Sequence, residues 1–259
     1  MAPMMPNTPL SHLVGPPVPA SFDLRTRYRS WLSQAAPWEE NGSLVAGERT
    51  RRGLATMGEE WGRTTHRAWQ ALQEAVLRTP ERVWFWSDLH LWHANICRYA
   101  GRPFTDVDSM NQALLDRAVA TVGAEDWLVF LGDLTFGSED DTKAWLDLCP
   151  GRKVIILGNH DVDRSKPQWK RLWRRFEAVE ECTNLELAAP VNTARWDQVR
   201  TLWLTHYPLW DSWVPESTLN LHGHIHQNTL PGRRVNLSVE QTGFGPMRLP
   251  DILSRPLIT

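Results

Sequence analysis

Cysteine is scarce and poorly placed for cross-linking: Cys97, Cys149 and Cys182 are an odd number, far apart, with no CxxC spacing. That fits a reducing compartment better than a disulfide framework, so the expected location is cytoplasmic. No apolar run approaches the ~20 residues that a membrane helix needs, and no membrane association is expected. The opening MAPMMPNTPLSHLVGPPVPA holds no Lys or Arg and no compact apolar stretch, so it does not read as a secretory signal. Its prolines forbid a regular helix, and residues 1–20 are expected to be a mobile tail. A basic excess is missing too. A formal net charge of −2 argues against a globally basic nucleic-acid binder.

What is there is enough apolar material, 42% of 259 residues, for one sizeable core. Leu24, Tyr28, Trp31 and Leu32 recur at helical spacing behind a potential N-cap, Ser21. The stretch from Pro37 to Gly58 has no sustained period and reads as a loop. A second helix carries Ala68, Trp69, Leu72, Ala75 and Val76 on one face and stops at Pro80. Residues 21–81 therefore form a helical amino-terminal appendage to a main domain at 82–259. In that domain RVWFW, DWLVFL, KVIIL and TLWL are short, nearly continuous apolar runs, as in strands covered on both faces. Between them lie helical periods through Met110 to Ala118, Asp141 to Leu148, and Trp169 to Phe176. Strand and helix alternate, so the fold class is α/β.

Each apolar run is followed at once by a polar motif: SDLH, GDLTFG, GNHD and THYP. Ligands of open α/β sheets bind beyond the carboxyl ends of the strands, so these motifs converge there. A fifth, LHGHIH, places His222, His224 and His226 at every second position. On a strand all three would share one face. Singly, each motif is only a turn. Together they bring two aspartates, Asp88 and Asp133, one asparagine, Asn159, and several histidines to one place, with no lysine in those motifs to neutralise the carboxylates. Buried carboxylates need a partner or a metal. Mixed imidazole and carboxylate donors suit manganese, iron, zinc or nickel better than calcium or an all-oxygen magnesium site, and no thiolate zinc cage is available. Seven ligands fit two ions if one carboxylate bridges, and Asp133, near the middle of the crevice, is the natural bridge.

DLH, GDLT, GNHD, THYP and GHIH, in this order, resemble the metallophosphoesterase, or calcineurin-like phosphoesterase, superfamily. The likeness spans roughly Arg82 to Pro246. SDLHLWHANICRYAGRPF with LHGHIH and NLSVE is similar to small bacterial and phage phosphoesterases. The resemblance implies a β-sandwich flanked by helices and a phosphoric ester hydrolase acting through a metal-bridging hydroxide, a phosphodiesterase more than a monoesterase. It also implies that Asp88, His90 and His226 hold one ion, that Asn159, His206 and His224 hold the other, and that Asp133 bridges. Manganese is the expected metal. His222 falls outside the ligand pair and is left to support or packing. His160 matches the histidine that contacts the phosphate and helps protonate the leaving group. Beside it, Asp161 belongs to the catalytic loop and is expected to orient that loop or His160.

His93, Asn95, Arg98 and Arg102 follow the first ligand motif, and arginine forks suit phosphate oxygens, so these are the candidate substrate-binding residues. The run KPQWKRLWRR, with Lys166, Lys170, Arg171, Arg174 and Arg175, reads as the wet face of a helix. The chain lacks the GDxxDRG and GNHE patterns of the superfamily's protein phosphatases, and it has His160 where lipid A pathway hydrolases typically have arginine. The expected substrate is a phosphate ester, a small molecule or nucleotide. Two alternatives are a metal-dependent nuclease, which the basic run favours and the net charge does not, and a non-catalytic scaffold, which the complete ligand set disfavours.

Overall fold

The computed structural model describes residues 24–26, 28, 57–162, 169–193 and 196–255. The expected tail at 1–20 lies outside them, as do 29–56 with Trp31 and Leu32. Of the first expected helix, Leu24 to Thr26 and Tyr28 are helical, with Leu24 and Tyr28 buried.

The second expected helix is α1, Glu59–Arg78, ending two residues before Pro80. The three apolar runs after it form β1 (Val83–Trp86), β2 (Trp127–Phe130) and β3 (Arg152–Ile156). Helices intervene: α2 (Ile96–Tyr99) and α3 (Val107–Thr121) before β2, and α4 (Glu139–Leu148) before β3. Helix α4 starts earlier than its apolar period. Ser138 caps it by accepting from the Asp141 N–H, and Glu139, Asp140 and Asp141 complement the positive end of its dipole. Helix α5 (Trp169–Trp173) is shorter than expected. Beyond it, the N–H groups of Arg174, Arg175 and Phe176 bond three residues back, so tight turns carry Phe176 into the core.

Two sheets result. In the first, the order β4-β3-β2-β1-β9 adds β4 (Ala178–Glu180) in parallel and, at the far edge, β9 (Met247–Arg248) antiparallel to β1. In the second, β5 (Cys182–Val191), β6 (Val199–Thr205), β7 (Thr218–His222) and β8 (Arg234–Asn236) are neighbours in that order. Only β5 runs antiparallel to its neighbour in this sheet.

Period two along each strand divides the core. Val83, Phe85, Val129, Leu131, Val154 and Ile156 pack in one cluster with Leu202, Leu204, Leu219 and Leu221 of the second sheet. Trp86, Leu128, Phe130 and Ile155 face the other way, onto Met110, Leu114, Trp145 and Leu172 of the helices. Trp203 points to the outer face of the second sheet and clusters there with Tyr28, Trp210 and Trp213. Ala68, Leu72 and Val76 of α1 belong to the same cluster as the facing sheets. Further along α1, Gln73 meets the exposed edge of β5. Its amide nitrogen donates to the Glu186 carbonyl at 2.9 Å, and its oxygen accepts the Glu186 N–H at 2.8 Å. Among the described residues, no helix is long and apolar enough to cross a membrane.

Candidate metal centre

The five polar motifs leave the carboxyl ends of β1, β2, β3, β6 and β7, so two sheets contribute to one site. The loops continue the pairing of the strands beneath them. Asp88 N–H donates to the Gly132 carbonyl, His90 N–H to that of Asp133, and Gly223 N–H to that of His206. In the second sheet the buried Asn220 amide donates to the Trp203 carbonyl and the Thr205 hydroxyl while its oxygen accepts the Leu209 N–H, which fixes the segment carrying His206.

Sequence spacing misplaces one motif. Strand β7 ends at His222, so the three alternating histidines do not share a strand face. His222 is a buried ring whose Nδ1 meets the Gly223 carbonyl at 2.9 Å, and burial pushes its pKa down to about 3. His224 and His226 stand beyond the strand with φ of 72° and 48°. Asp88, His90 and Asp133 share that left-handed conformation, at 56°, 50° and 54°. It is uncommon for residues with a Cβ and costs of order 1–3 kcal/mol each. Close approach is also required at two glycines. A Cβ at Gly158 would collide with the Asp133 carboxylate, and one at Gly223 with Ser87 and the Asp88 carboxylate.

The side chains gather in two groups, Asp88 with His90 and His226, and Asp133 with His206 and His224, each with its potential ligand atoms within 4.8 Å of one another. Asn159 joins the second, its Oδ1 3.0 Å from His206 Nε2. The groups meet at Asp133, whose Oδ2 lies 3.5 Å from His90 Nε2 and 3.4 Å from His206 Nε2. Asp88 and Asp133 are buried, and among the described residues no Lys or Arg side chain pairs with either carboxylate. Asp88 accepts only neutral donors besides its histidine neighbours: the His224 N–H and the Ser238 hydroxyl.

The protonation equilibria show the same need for positive charge. Burial opposes ionisation of Asp88, yet the imidazoles of His90, His206 and His226 more than reverse it and hold the carboxyl low. Burial would lower His206, but the Asp133 carboxylate beside it raises it to about 10. His90, by contrast, is pushed down to about 4 by burial. Its Nε2 is buried without a hydrogen-bond partner and faces both carboxylates, as a metal ligand would. The donor set and this orphaned nitrogen fit divalent transition-metal ions.

His160 stands at the mouth. Its side chain is 44% exposed, its Nε2 is 3.9 Å from Asp133 Oδ2, and its backbone N–H donates to Asp133 Oδ1 at 3.0 Å. Asp161 faces inward instead. Its carboxylate accepts the N–H groups of Asp133, Leu134 and Gly158 at 2.8, 3.0 and 2.8 Å, so it ties two of these loops together. Burial and the neighbouring Asp133 raise it to about 6. His93 lies beside the cluster, its Nδ1 3.4 Å from His90 Nδ1 and its ring stacked on Phe136 at 4.2 Å. Asn95 and Arg98 are exposed and neither side chain hydrogen-bonds to the cluster. Arg98 lies over the Tyr99 ring. Arg102 does not line a substrate pocket. Its side chain is fully buried and its guanidinium bonds to the Asp88 and Leu89 carbonyls and to Glu240.

Three supporting residues, Asn236, Ser238 and Glu240, have roles that sequence reading missed. Asn236 donates to the His226 carbonyl and its Oδ1 lies 2.7 Å from the Ser238 hydroxyl oxygen, and Glu240 meets His226 Nδ1 at 3.1 Å. The signal was present in NLSVE, where polar residues alternate with Leu237 and Val239.

The chain belongs to the calcineurin-like phosphoesterase family, which matches residues 81–255. Its members carry out metal-dependent phosphoester hydrolysis, and the sandwich is the family's fold. An uncharacterized protein of Methanocaldococcus jannaschii is 29% identical over 178 residues, 65% of this chain and 87% of that one. The Gene 66 protein of Mycobacterium phage D29 is 31% identical over 173 residues, 60% of this chain and 83% of its own. The crystal structure of a protein of unknown function from Aquifex aeolicus superposes with a TM-score of 0.48 at 24% identity, covering 66% of this chain and 96% of the other.

Proposed function

We propose that the chain is a dinuclear metal-dependent phosphodiesterase in which Asp88, His90 and His226 hold one ion, Asn159, His206 and His224 hold the other, and Asp133 bridges. One observation carries this reading: a single oxygen of Asp133 stands about equally far from a histidine nitrogen of each group. The donor set suits manganese, with iron, zinc or nickel as alternatives. When bound, two such ions supply Lewis acidity to the phosphoryl group and a water of lowered pKa as nucleophile.

This chain's own residues do the rest. The left-handed loops and Asp161 keep the ligands in place before substrate arrives. His160, half exposed beside Asp133, is positioned to give a proton to the departing ester oxygen. His93 lies beside the same mouth, and the exposed Arg98 five residues on suits the non-bridging phosphate oxygens or the leaving group. A small-molecule or nucleotide ester is favoured over nucleic acid, because Arg171 and Arg175 of the basic run are paired with Glu139 and Asp147 of α4.

The test is turnover of bis-p-nitrophenyl phosphate by chelator-treated protein with manganese returned, beside p-nitrophenyl phosphate and labelled single-stranded and duplex DNA. Recovery of diesterase activity with two retained equivalents of metal is expected. A protein that holds one equivalent at full activity refutes the dinuclear assignment; a preference for DNA selects the nuclease.

A further inference from the structure

The side chain of Arg102 is 0% exposed and that of Glu240 is 6% exposed, in an ion pair of 2.8 Å. Burying such a pair seldom stabilises a fold relative to apolar residues of the same size, so its neighbours should show what else it does. Two of them, Asp88 and His226, belong to one ligand group, and a third, Leu89, precedes its remaining member, His90. Arg102 donates to the carbonyls of Asp88 and Leu89, both at 2.7 Å. These peptides join Asp88 to His90, the two ligands held at positive φ on either side of Leu89. Glu240 Oε1 accepts from Arg102 Nε at 2.8 Å and also meets His226 Nδ1 at 3.1 Å. A carboxylate can only accept there, so Nδ1 carries the proton and Nε2 keeps its lone pair for a metal. Carboxylate partners of this kind orient a ligating ring and raise its basicity.

The other group is held by different means. His206 Nδ1 meets a neutral acceptor, the Leu131 carbonyl, at 2.8 Å, and the Asp133 loop hangs on Asp161. Neither Arg102 nor Glu240 hydrogen-bonds to any part of that second group.

We propose that Arg102 and Glu240 are positioning residues for one of the two metal positions only, the one formed by Asp88, His90 and His226. The two positions thus differ in their supports, a buried ion pair for the first and the Leu131 carbonyl with Asp161 for the second, although the His224 N–H on the Asp88 carboxylate and the His90 N–H on the Asp133 carbonyl join the two groups. This rests on the dinuclear reading above, and its test reads metal binding directly.

Chelator-treated wild-type protein and Glu240→Gln are titrated with Mn(II) by calorimetry and with Co(II) by visible absorption. Glutamine keeps an acceptor for Arg102 and His226 but removes the charge. The double variant Arg102→Met/Glu240→Met removes the pair without stranding a buried charge, and thermal unfolding of the metal-free proteins monitors folding. His226→Ala and His206→Ala mark which binding step and which Co(II) band belong to each position. In both pair variants the step lost in His226→Ala should weaken about 10–100-fold, while the step lost in His206→Ala keeps its affinity. Equal weakening of both steps, or of neither, overturns the inference and leaves the dinuclear reading standing. A wild-type protein that takes up fewer than two ions overturns that reading and the inference with it.

Discussion

The two sheets make unlike contributions to the site. The five-stranded sheet delivers Asp88, His90, Asp133 and Asn159 from the ends of three adjacent parallel strands, whereas the four-stranded sheet delivers only histidines, His206, His224 and His226. Oxygen donors therefore come mainly from one layer and imidazoles from the other. Because Asp133 touches both groups, the site is completed only where the layers meet. Packing between the sheets is then a condition of the site's geometry as well as of stability.

The largest effect is expected where this division is bridged. Asp133→Asn replaces a shared charge with a neutral amide. Losing several kcal/mol of charge stabilisation, at 1.36 kcal/mol per decade of rate, predicts a fall of about 10²–10⁴-fold in turnover. Metal content should drop at both positions. Two retained equivalents with undiminished rate would show that neither ion depends on a shared carboxylate.

His160 sharpens the comparison, because it comes from the oxygen-donating sheet yet belongs to neither ligand group. If it donates the leaving-group proton, His160→Ala should slow esters with alkoxide leaving groups by about 10²–10⁴-fold, the range for general acid catalysis. Nitrophenolate esters, which leave without a proton, should lose much less. Similar losses on both substrates, with metal content unchanged, would reduce His160 to phosphate binding.

The interface between the layers is tested by Leu221→Ala. Leu221 is fully buried among residues of both sheets. Its truncation should cost about 2–5 kcal/mol in urea unfolding, the range for buried leucine. The activity remaining in the folded fraction should also fall, because His224 and His226 follow the same strand. Destabilisation with normal specific activity would mean that the loops hold their own geometry.

Legibility differed between the layers for a physical reason. Strands β1 to β3 are covered on both faces, so their sequences are nearly continuous apolar runs and their ends could be read directly, together with the motifs that follow. Strand β5 is an edge strand with alternating exposure, and Asn184 and Glu186 hide it. Strands β7 and β8 carry Asn220, Arg234 and Asn236, buried polar residues that make sense only through bonds to distant loops. The ligands were legible because histidine and aspartate crowd into short motifs. The supports were not. Arg102 resembles any arginine near a phosphate site until its partner Glu240, 138 residues away, is seen beside it. The left-handed conformation of His224 and His226 likewise belongs to the folded loop, and a spacing of two could not disclose it.

The smallest predicted effect concerns the edge of the histidine-bearing layer. Strand β5 ends that sheet, and its pairing with β6 is irregular beyond Glu186. Gln73 of α1 satisfies both backbone groups of Glu186 and so occupies an edge that would otherwise be open to another strand. The bonds are exposed to solvent, and water replaces them when the side chain is lost. Gln73→Ala should therefore cost only about 0.5–1.5 kcal/mol, no more than one ordinary hydrogen bond. The urea midpoint should fall with an unchanged slope, and metal affinity should not move, since β5 carries no ligand. The sharper readout is association: with the edge uncovered, light scattering at high concentration should rise in Gln73→Ala and not in Gln70→Ala, one turn away on the same helix. A loss of several kcal/mol, or a change in metal binding, would instead mean that α1 braces the layer on which the histidines depend.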